Sequence, residues 1–269
     1  MKIIRHLDSQ NAIRLAGSSD GKHYFRLEGS LLGPHALTQE PADIRKLLAP
    51  LEPVQTLCVG LNYKKHADEI KLRYPEFPVL FAKVGRTVQN PGDPVILPRH
   101  LPCDEVDYEC ELAVVIGREC KNATKENALS FVAGYTCGND ISARDWQTRK
   151  ERSGSQWCRC KSFDTFSPLG PCLVTPDEIP DPGTLGIKTI LNGEVMQDSN
   201  TSDMVFSVAE IIAFFSAGLT LMPGTVILTG TPAGVGMART PPVWLRPGDT
   251  LTVEIEKIGA LTNPVEMGS

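Results

Sequence analysis

The chain has 269 residues, of which 41% are hydrophobic and 22% are charged, and its formal net charge is −5. This composition is typical of a globular protein that can bury one substantial core. The negative charge and the lack of a long basic run argue against nucleic acid or an anionic membrane surface as a partner. No stretch approaches the ~20 apolar residues of a membrane span.

Eight cysteines are scattered along the chain, and none form a C-x-x-C pair. Several lie in apolar runs, where free cysteine behaves as a small hydrophobe, so the pattern favours a reduced intracellular protein. Redox or metal chemistry at "CRC", residues 158–160, is the weaker alternative because that spacing suits no common zinc site. The N-terminus has no apolar h-region, so we expect no secretory signal. Asp8 lies among the basic residues Lys2, Arg5 and Arg14, a composition that favours a cytoplasmic protein over a mitochondrial one.

In chain order, residues 1–51 form a separable first part. It contains short strand-like runs such as "HYFRLEG" and a helical stretch, "PADIRKLLAPL", which two prolines close. We therefore expect a small N-terminal β/α domain over 1–51, followed by a main domain over 52–269. The main domain opens with "VQTLCVGLNY", a predicted strand that runs into a loop.

Later elements are mostly strands. Asn192-Gly193 predicts a type I′ hairpin, and the Ser207/Glu210 spacing predicts a capping box at the start of a helix that stops at Gly218. A strand over "PGTVIL" and a closing hairpin over "DTLTVEIEKIGALTNPV" follow. Because βαβ alternation is absent, we predict a β-rich α+β fold, a sandwich or roll with few helices.

Two glutamates stand at the start of a core strand, "VDYECELAVVIG". Glu109 and Glu111 point to the same face, since side chains i and i+2 do so on a strand. Two neighbouring carboxylates repel each other unless a cation lies between them, and Mg²⁺ or Ca²⁺ prefers oxygen ligands. Asp140 could add a third ligand. The alternative interpretation is a solvated strand face with ordinary salt bridges.

Two further stretches carry candidate catalytic side chains. In "GLNYKKHADEI", His66 and Glu69 are neighbours on a helical turn, where a carboxylate orients an imidazole for proton transfer. The alternative is a surface His–Glu pair. Lys161, in "WCRCKSFDTF", could meet a developing negative charge, whereas the alternative is a snorkelling surface lysine.

The glycine-rich stretch "ILTGTPAGVG" does not predict a nucleotide site, because its G-x-G-x-x-G spacing fails and no amphipathic helix follows. We expect a loop whose backbone donates to a carboxylate. Together, the quoted stretches, with "GNDISARDWQ", "KSFDTFSPLGP" and "LRPGDTLTVEIE", resemble the fumarylacetoacetate hydrolase family over roughly residues 52–265. Within that family the chain is most similar to the fumarylacetoacetate hydrolase domain-containing proteins of the domain-2 type.

The resemblance implies a mixed β-sandwich roll, a homodimer and a Mg²⁺ site in which Mn²⁺ or Ca²⁺ is also acceptable. It implies that the site residues have three kinds of role: metal ligands Glu109, Glu111 and Asp140; catalytic residues His66, Glu69 and Lys161; and substrate-binding residues Arg144, Gln147 and Thr231.

The implied substrate is a small enolisable 2-oxo acid. Our first expectation is keto–enol tautomerisation of oxaloacetate, because of the resemblance to the domain-2 type. Hydrolytic C–C cleavage of an acylpyruvate or fumarylacetoacetate-like β-diketo acid is the close alternative, and decarboxylation of oxaloacetate is a third. A metal-binding dimeric scaffold without turnover is the alternative outside enzymes.

Overall fold

The structure, a computed structural model, describes residues 1–101, 103–153 and 156–269. Strands dominate these residues, as the sequence predicts. The strands are β1 Lys2–Leu7, β2 Ile13–Ser18, β3 Phe25–Gly29, β4 His35–Pro41, β5 Lys46–Leu48, β6 Gln55–Gly60, β7 Val79–Lys83, β8 Val88–Gln89, β9 Val95–Leu97, β10 Val106–Asp107, β11 Cys110–Ile116, β12 Val132–Asn139, β13 Ser142–Ala143, β14 Ser167–Val174, β15 Gly186–Leu191, β16 Glu194–Asn200, β17 Thr225–Leu228, β18 Thr250–Ile255 and β19 Gly259–Met267. The helices are α1 Lys64–Glu69, α2 Arg144–Thr148, α3 Lys150–Ser153, α4 Trp157–Lys161 and α5 Val208–Ser216.

Two sheets build the core. The large sheet follows the path β4-β3-β2-β1-β14-β12-β11-β17-β6-β7, with β5 added beside β1 and β8 beside β14. Most neighbours are antiparallel, but β17 and β6 are parallel, so the sheet is mixed. The smaller sheet has the order β16-β15-β18-β19-β9. A short pair, β10 and β13, lies beside the start of β11. The predicted β-rich α+β class and mixed sandwich roll are confirmed.

Strand β11 is buried on both faces. Leu112 and Val114 share a core cluster with Ile187 of the smaller sheet. Ala113 points the other way and packs in a second cluster that includes Leu228 of β17. A strand covered on both sides reads as a continuous apolar run, which explains the sequence of this strand. Its first residues are therefore carried into the protein interior.

The N-terminal part differs from its prediction. The expected helix over 41–51 is wrong, because Lys46–Leu48 is a strand that pairs with β1. Prolines at both ends leave a stretch too short for a stable helix, whereas pairing buries Leu48. Strands β1 to β4 extend the large sheet beyond β14. The described N-terminal part is thus β rather than β/α, and the boundary at residue 51 stays a prediction.

Two local predictions in the second half are confirmed. Asn192 and Gly193 have φ values of 53° and 86°, the left-handed region that a type I′ turn requires. At α5, the Ser207 side chain accepts from the Glu210 backbone N–H, and the Glu210 carboxylate accepts from the Ser207 backbone N–H. Among the described residues, no helix is long and apolar enough to cross a membrane.

Candidate active site

Backbone pairing brings the three predicted metal ligands together. The Asp140 N–H donates to the Glu109 carbonyl oxygen at 2.9 Å, and the Glu109 N–H donates to Asn139 Oδ1 at 3.1 Å. These bonds lock the start of β11 against the end of β12. As a result, one carboxylate oxygen from each of Glu109, Glu111 and Asp140 lies within 4.8 Å of the others.

The three carboxylates are buried. The relative exposure is 4% for Glu109, 1% for Glu111 and 0% for Asp140. A solvated strand face is therefore excluded as an explanation of the glutamate pair. Burying charged groups is costly unless cations and hydrogen bonds compensate them, so the surroundings of each carboxylate decide what the cluster can do.

Two lysines compensate part of this charge. Lys161, at the end of α4, places Nζ 2.5 Å from Glu109 Oε2 and 2.7 Å from Asp140 Oδ2. Lys83, from β7, places Nζ 2.6 Å from Asp140 Oδ1 and also donates to a backbone carbonyl. Both lysines are buried, so Lys161 is not a snorkelling surface residue. Burial lowers the pKa of Lys161, but the charges of Asp140 and Glu109 raise it above its usual range, so Lys161 is a cation.

Arg144, at the start of α2, lies against the opposite side of Glu109. Its Nη2 is 2.6 Å from Glu109 Oε1, a charge contact without hydrogen-bond geometry at that nitrogen. Its Nε donates to Asp107 at 2.9 Å, and its Nη1 donates to Gln147 Oε1 at 2.8 Å. The predicted substrate-binding arginine is thus held by three side chains of the protein itself.

The two glutamates have different electrostatic environments. Burial alone would raise the pKa of Glu109, but the charges of Arg144 and Lys161 hold it well below its usual range. Burial raises the pKa of Glu111 well above its usual range, and the charges of Asp140 and Glu109 add to the rise. In the described part of the chain Glu111 pairs with no basic side chain. A divalent cation would supply the missing charge, so this buried triad could hold a metal ion.

The predicted His–Glu pair also forms. Helix α1 places His66 Nδ1 3.2 Å from Glu69 Oε2. The other oxygen of Glu69 accepts from the Gly234 backbone N–H at 2.9 Å, which fixes the carboxylate against the glycine-rich loop. His66 is buried, and its side chain lines the same cavity as the triad. A freely solvated surface pair is therefore excluded.

The glycine-rich loop donates to carboxylates, as expected, but these are carboxylates of the protein. Gly230 N–H donates to Glu111 Oε2 at 2.7 Å, and Gly234 N–H donates to Glu69. Further along the loop, Gly236 N–H donates to Asp107 at 2.7 Å. One loop therefore sets the relative positions of the triad and the His–Glu pair.

A cavity of about 200 Å³ joins these groups. Its polar lining includes the predicted residues Glu109, Glu111, Asp140, His66, Lys161, Arg144, Gln147 and Thr231. Its apolar wall includes Leu61, Ile70, Leu72, Phe81 and Trp157. Glu69 does not line the cavity but supports His66 from behind. The structure thus brings all of the predicted site residues into one cavity or its immediate support.

A larger cavity of about 750 Å³ lies beside the N-terminal strands. Its charged residues pair with one another or with neighbours, as Arg5 does with Glu52 at 2.7 Å. None of the triad or the His–Glu pair lies there. The smaller cavity is therefore the candidate active site.

Sequence reasoning did not identify three buried polar residues: Lys83, Asp107 and Gln197. Asp107 carried a signal, since it continues the i, i+2 pattern of Glu109 and Glu111. Lys83 is a single basic residue ending a short apolar run, and Gln197 lies in a hairpin strand. Gln197 accepts from the Cys110 N–H and donates to Thr231 Oγ1 at 2.8 Å, contacts between distant segments that local spacing does not reveal.

The fold carries a buried carboxylate triad that could hold a metal ion, next to a His–Glu pair. Comparison with known proteins gives the family. Residues 55–266 match the fumarylacetoacetate (FAA) hydrolase C-terminal family. The chain is 46% identical over 235 residues to the fumarylacetoacetate hydrolase domain-containing protein 2 homolog of Dictyostelium discoideum, covering 84% of this chain and 76% of that protein. It is 48% identical over 220 residues to the mitochondrial oxaloacetate tautomerase fahd2 of Xenopus laevis, covering 81% and 68%.

A solved structure, the 5-carboxymethyl-2-hydroxymuconate delta-isomerase of Mycobacterium smegmatis, is 37% identical, covers 100% of both chains and superposes with a TM-score of 0.84. The chain belongs to the fumarylacetoacetate hydrolase family and is an enzyme of that family.

Proposed function

We propose that this protein is a divalent-metal-dependent enzyme that interconverts the keto and enol forms of oxaloacetate. The observation that carries the proposal is the placement of His66 in the same small cavity as the carboxylate triad. The name of the Xenopus relative, an oxaloacetate tautomerase, supports the substrate.

Glu109, Glu111 and Asp140 would hold the cation, with Mg²⁺ as the first candidate and Mn²⁺ or Ca²⁺ as alternatives, because all three ligands are carboxylate oxygens. When bound, the cation supplies Lewis-acid polarisation of the 2-oxo group. Glu111 supports this assignment most strongly, since burial and the charges of Asp140 and Glu109 raise its pKa, and no basic side chain in the described ranges forms an ion pair with it.

His66 would move the proton. The contact of Nδ1 with Glu69 leaves Nε2 available for the substrate and stabilises the imidazolium that proton uptake creates. In the enol-to-keto direction the C2 hydroxyl loses a proton and C3 gains one, so the composition of the substrate does not change. Lys161, held as a cation, would contribute positive charge near the developing oxyanion rather than act as a base.

The size of the cavity supports a small acid. At about 200 Å³ it is smaller than the ~300–1,000 Å³ of pockets that hold drug-sized ligands. Arg144, Gln147 and Thr231 line it and would bind the substrate's carboxylate and carbonyl oxygens. Because Arg144 and Gln147 already bond each other, they would act as one preorganised unit.

The experiment that tests the proposal follows the ultraviolet absorbance of enol-oxaloacetate with Mg²⁺ and catalytic amounts of protein, and then identifies the products. Accelerated decay that leaves oxaloacetate intact is the expected result, and EDTA should abolish it. Accumulation of pyruvate would indicate decarboxylation instead. If decay is not accelerated, tautomerisation is wrong, and a panel of acylpyruvates tests hydrolytic C–C cleavage.

A homodimer and the cellular compartment belong to the same proposal. The family resemblance supports a dimer, and sedimentation of the purified protein measures it directly. The Xenopus relative is named as mitochondrial, which supports a mitochondrial location, and the cytoplasm is the alternative. A scaffold role without turnover is disfavoured, because a metal-binding scaffold needs neither His66 nor Glu69.

A further inference from the structure

Asp107 is a buried carboxylate next to the candidate active site, but it does not line the cavity. Its Oδ1 accepts from the backbone N–H groups of Tyr108 at 2.9 Å and Gly236 at 2.7 Å. Its Oδ2 accepts from the Met237 N–H at 3.0 Å and from Arg144 Nε at 2.9 Å. Asp107 therefore lies outside the cavity, yet it contacts Arg144 and the Gly236–Met237 backbone, which help to build the site.

Arg144 is shared between two carboxylates. Its Nε faces Asp107 at 2.9 Å and its Nη2 faces Glu109 at 2.6 Å. The guanidinium is almost fully buried, with 4% of its side chain exposed, so solvent screens these charges little. Any change in one carboxylate therefore changes how strongly the arginine attracts the other.

The buried charges of this network nearly balance. Four carboxylates face three basic groups: Asp107, Glu109, Glu111 and Asp140 against Lys83, Arg144 and Lys161. Without Asp107, the charges of the three remaining carboxylates would be balanced by those of the three basic groups. A divalent cation would then enter a neutral rather than a negative environment, and Glu109 would be the only carboxylate that pairs with Arg144 among the described residues.

We propose that Asp107 is a positioning residue for the metal site: it holds Arg144 and takes up part of its charge, which leaves more of the negative charge of Glu109 to attract a divalent cation. The inference rests on the proposed metal site. It predicts that Asp107 and Arg144 affect metal affinity as a pair, although neither is a metal ligand. Asp107 should strengthen the binding of the cation, and Arg144 should weaken it.

The test is a calorimetric titration of the 269-residue chain with Mg²⁺, repeated with Mn²⁺, for wild type, D107N, R144Q and D107N/R144Q. D107N should weaken binding by about tenfold, because one unit of charge is lost beside a weakly screened site. R144Q should bind at least as tightly as wild type. The double variant should return to within about threefold of wild type, a coupling that a double-mutant cycle isolates.

A purely structural role gives a different result. If Asp107 only anchors the Gly236–Met237 backbone, the double variant binds as weakly as D107N or more weakly, and the inference is wrong. If D107N does not fold, the R144Q variant alone tests the proposal. Weaker Mg²⁺ binding by R144Q than by wild type would mean that Arg144 is needed to hold Glu109, which contradicts the proposal.

Asp145→Asn is the matched control. Asp145 is equally buried, lies one residue from Arg144 and pairs with Arg152 at 2.6 Å, but it does not line the cavity. D145N should leave Mg²⁺ affinity unchanged. A wild type that binds neither cation would overturn the proposed metal site and this inference together, whereas wild type and D107N binding equally well would overturn this inference alone.

Discussion

The two halves of the site are built differently. The triad stands where β11 begins and β12 ends in the large sheet. There the Asp140 backbone N–H bonds the Glu109 carbonyl oxygen, and the buried Lys161 side chain contacts both carboxylates. The His–Glu pair stands on α1, a helix of six residues. Its Glu69 side chain is 23% exposed, and one backbone N–H of the glycine-rich loop anchors it.

The difference has a physical reason. Isolated helices this short are not stable in water, so α1 depends on its tertiary contacts. Sheet strands with buried partners on both faces move little. A cation requires its ligands at fixed distances, whereas a proton-transfer residue must adjust to each substrate. We infer that the triad is the rigid half and the His–Glu pair the adjustable half.

The largest effect is expected from Glu111→Gln. Removal of this carboxylate should abolish measurable Mg²⁺ binding and reduce tautomerase activity by about 10³-fold, because the Lewis acid is lost. The melting temperature of metal-free protein should not fall, since the glutamine removes a poorly compensated buried charge. Calorimetry, the ultraviolet assay and thermal unfolding measure the three quantities.

Exposed Glu119, in the loop after the same strand, gives the matched control. Glu119→Gln should leave all three measurements unchanged. If Glu111→Gln still binds Mg²⁺ with wild-type affinity, then the triad is not the metal site and its rigidity needs another explanation.

His66→Ala tests the adjustable half. The rate constant kcat should fall by about 10²-fold or more, because a positioned acid–base group is lost. Mg²⁺ affinity should remain within about twofold, since His66 forms no hydrogen bond or ion pair with the triad among the described residues. His35→Ala, at an exposed position, is the control. A variant that loses metal binding as well would show that the two halves are not separate.

Glu69→Gln should have a smaller effect, about tenfold in kcat. The glutamine oxygen can still accept from the Gly234 N–H, but it carries no charge to stabilise an imidazolium. The Michaelis constant should change little. Glu76→Gln, an exposed carboxylate in the segment after α1, provides the comparison, and equal rates for the two variants would remove Glu69 from the mechanism.

The sequence predicts the carboxylate triad better than it predicts the side chains that support the triad. The i, i+2 spacing of Glu109 and Glu111 and the boundary position of Asp140 depend on local strand geometry, which the chain keeps. Lys83 reaches Asp140 across 57 residues of sequence, and such partners depend on how strands are ordered in the sheet. No local pattern carries that information.

The wrong helix over 41–51 has the same origin. The residues have helical composition, but an open position beside β1 lets Lys46–Leu48 pair as a strand and bury Leu48. Tertiary context overrides weak local propensity. In contrast, the capping box at Ser207 satisfies its hydrogen bonds locally, and the positive φ values at Asn192 and Gly193 are a local preference of those residue types. Both features appear as predicted.

The smallest effect is expected from Ser207→Ala. This variant tests whether a small loss of distant support affects the His–Glu pair and not the triad. Ser207 begins α5 and accepts from the Glu210 N–H. The preceding residue, Phe206, exchanges hydrogen bonds with the side chain of Asn62, just before α1. Loss of the cap should lower the free energy of unfolding by about 1 kcal/mol.

Because Asn62 connects α5 to the His–Glu side, any functional effect of Ser207→Ala should fall on that half. We expect kcat to drop by less than about threefold and Mg²⁺ affinity to stay unchanged, with Ser207→Thr, which keeps a capping hydroxyl, close to wild type in both. Chemical denaturation, the ultraviolet assay and calorimetry measure these values. Weaker Mg²⁺ binding at unchanged kcat would reverse the comparison, because it would make the triad the half that depends on distant support.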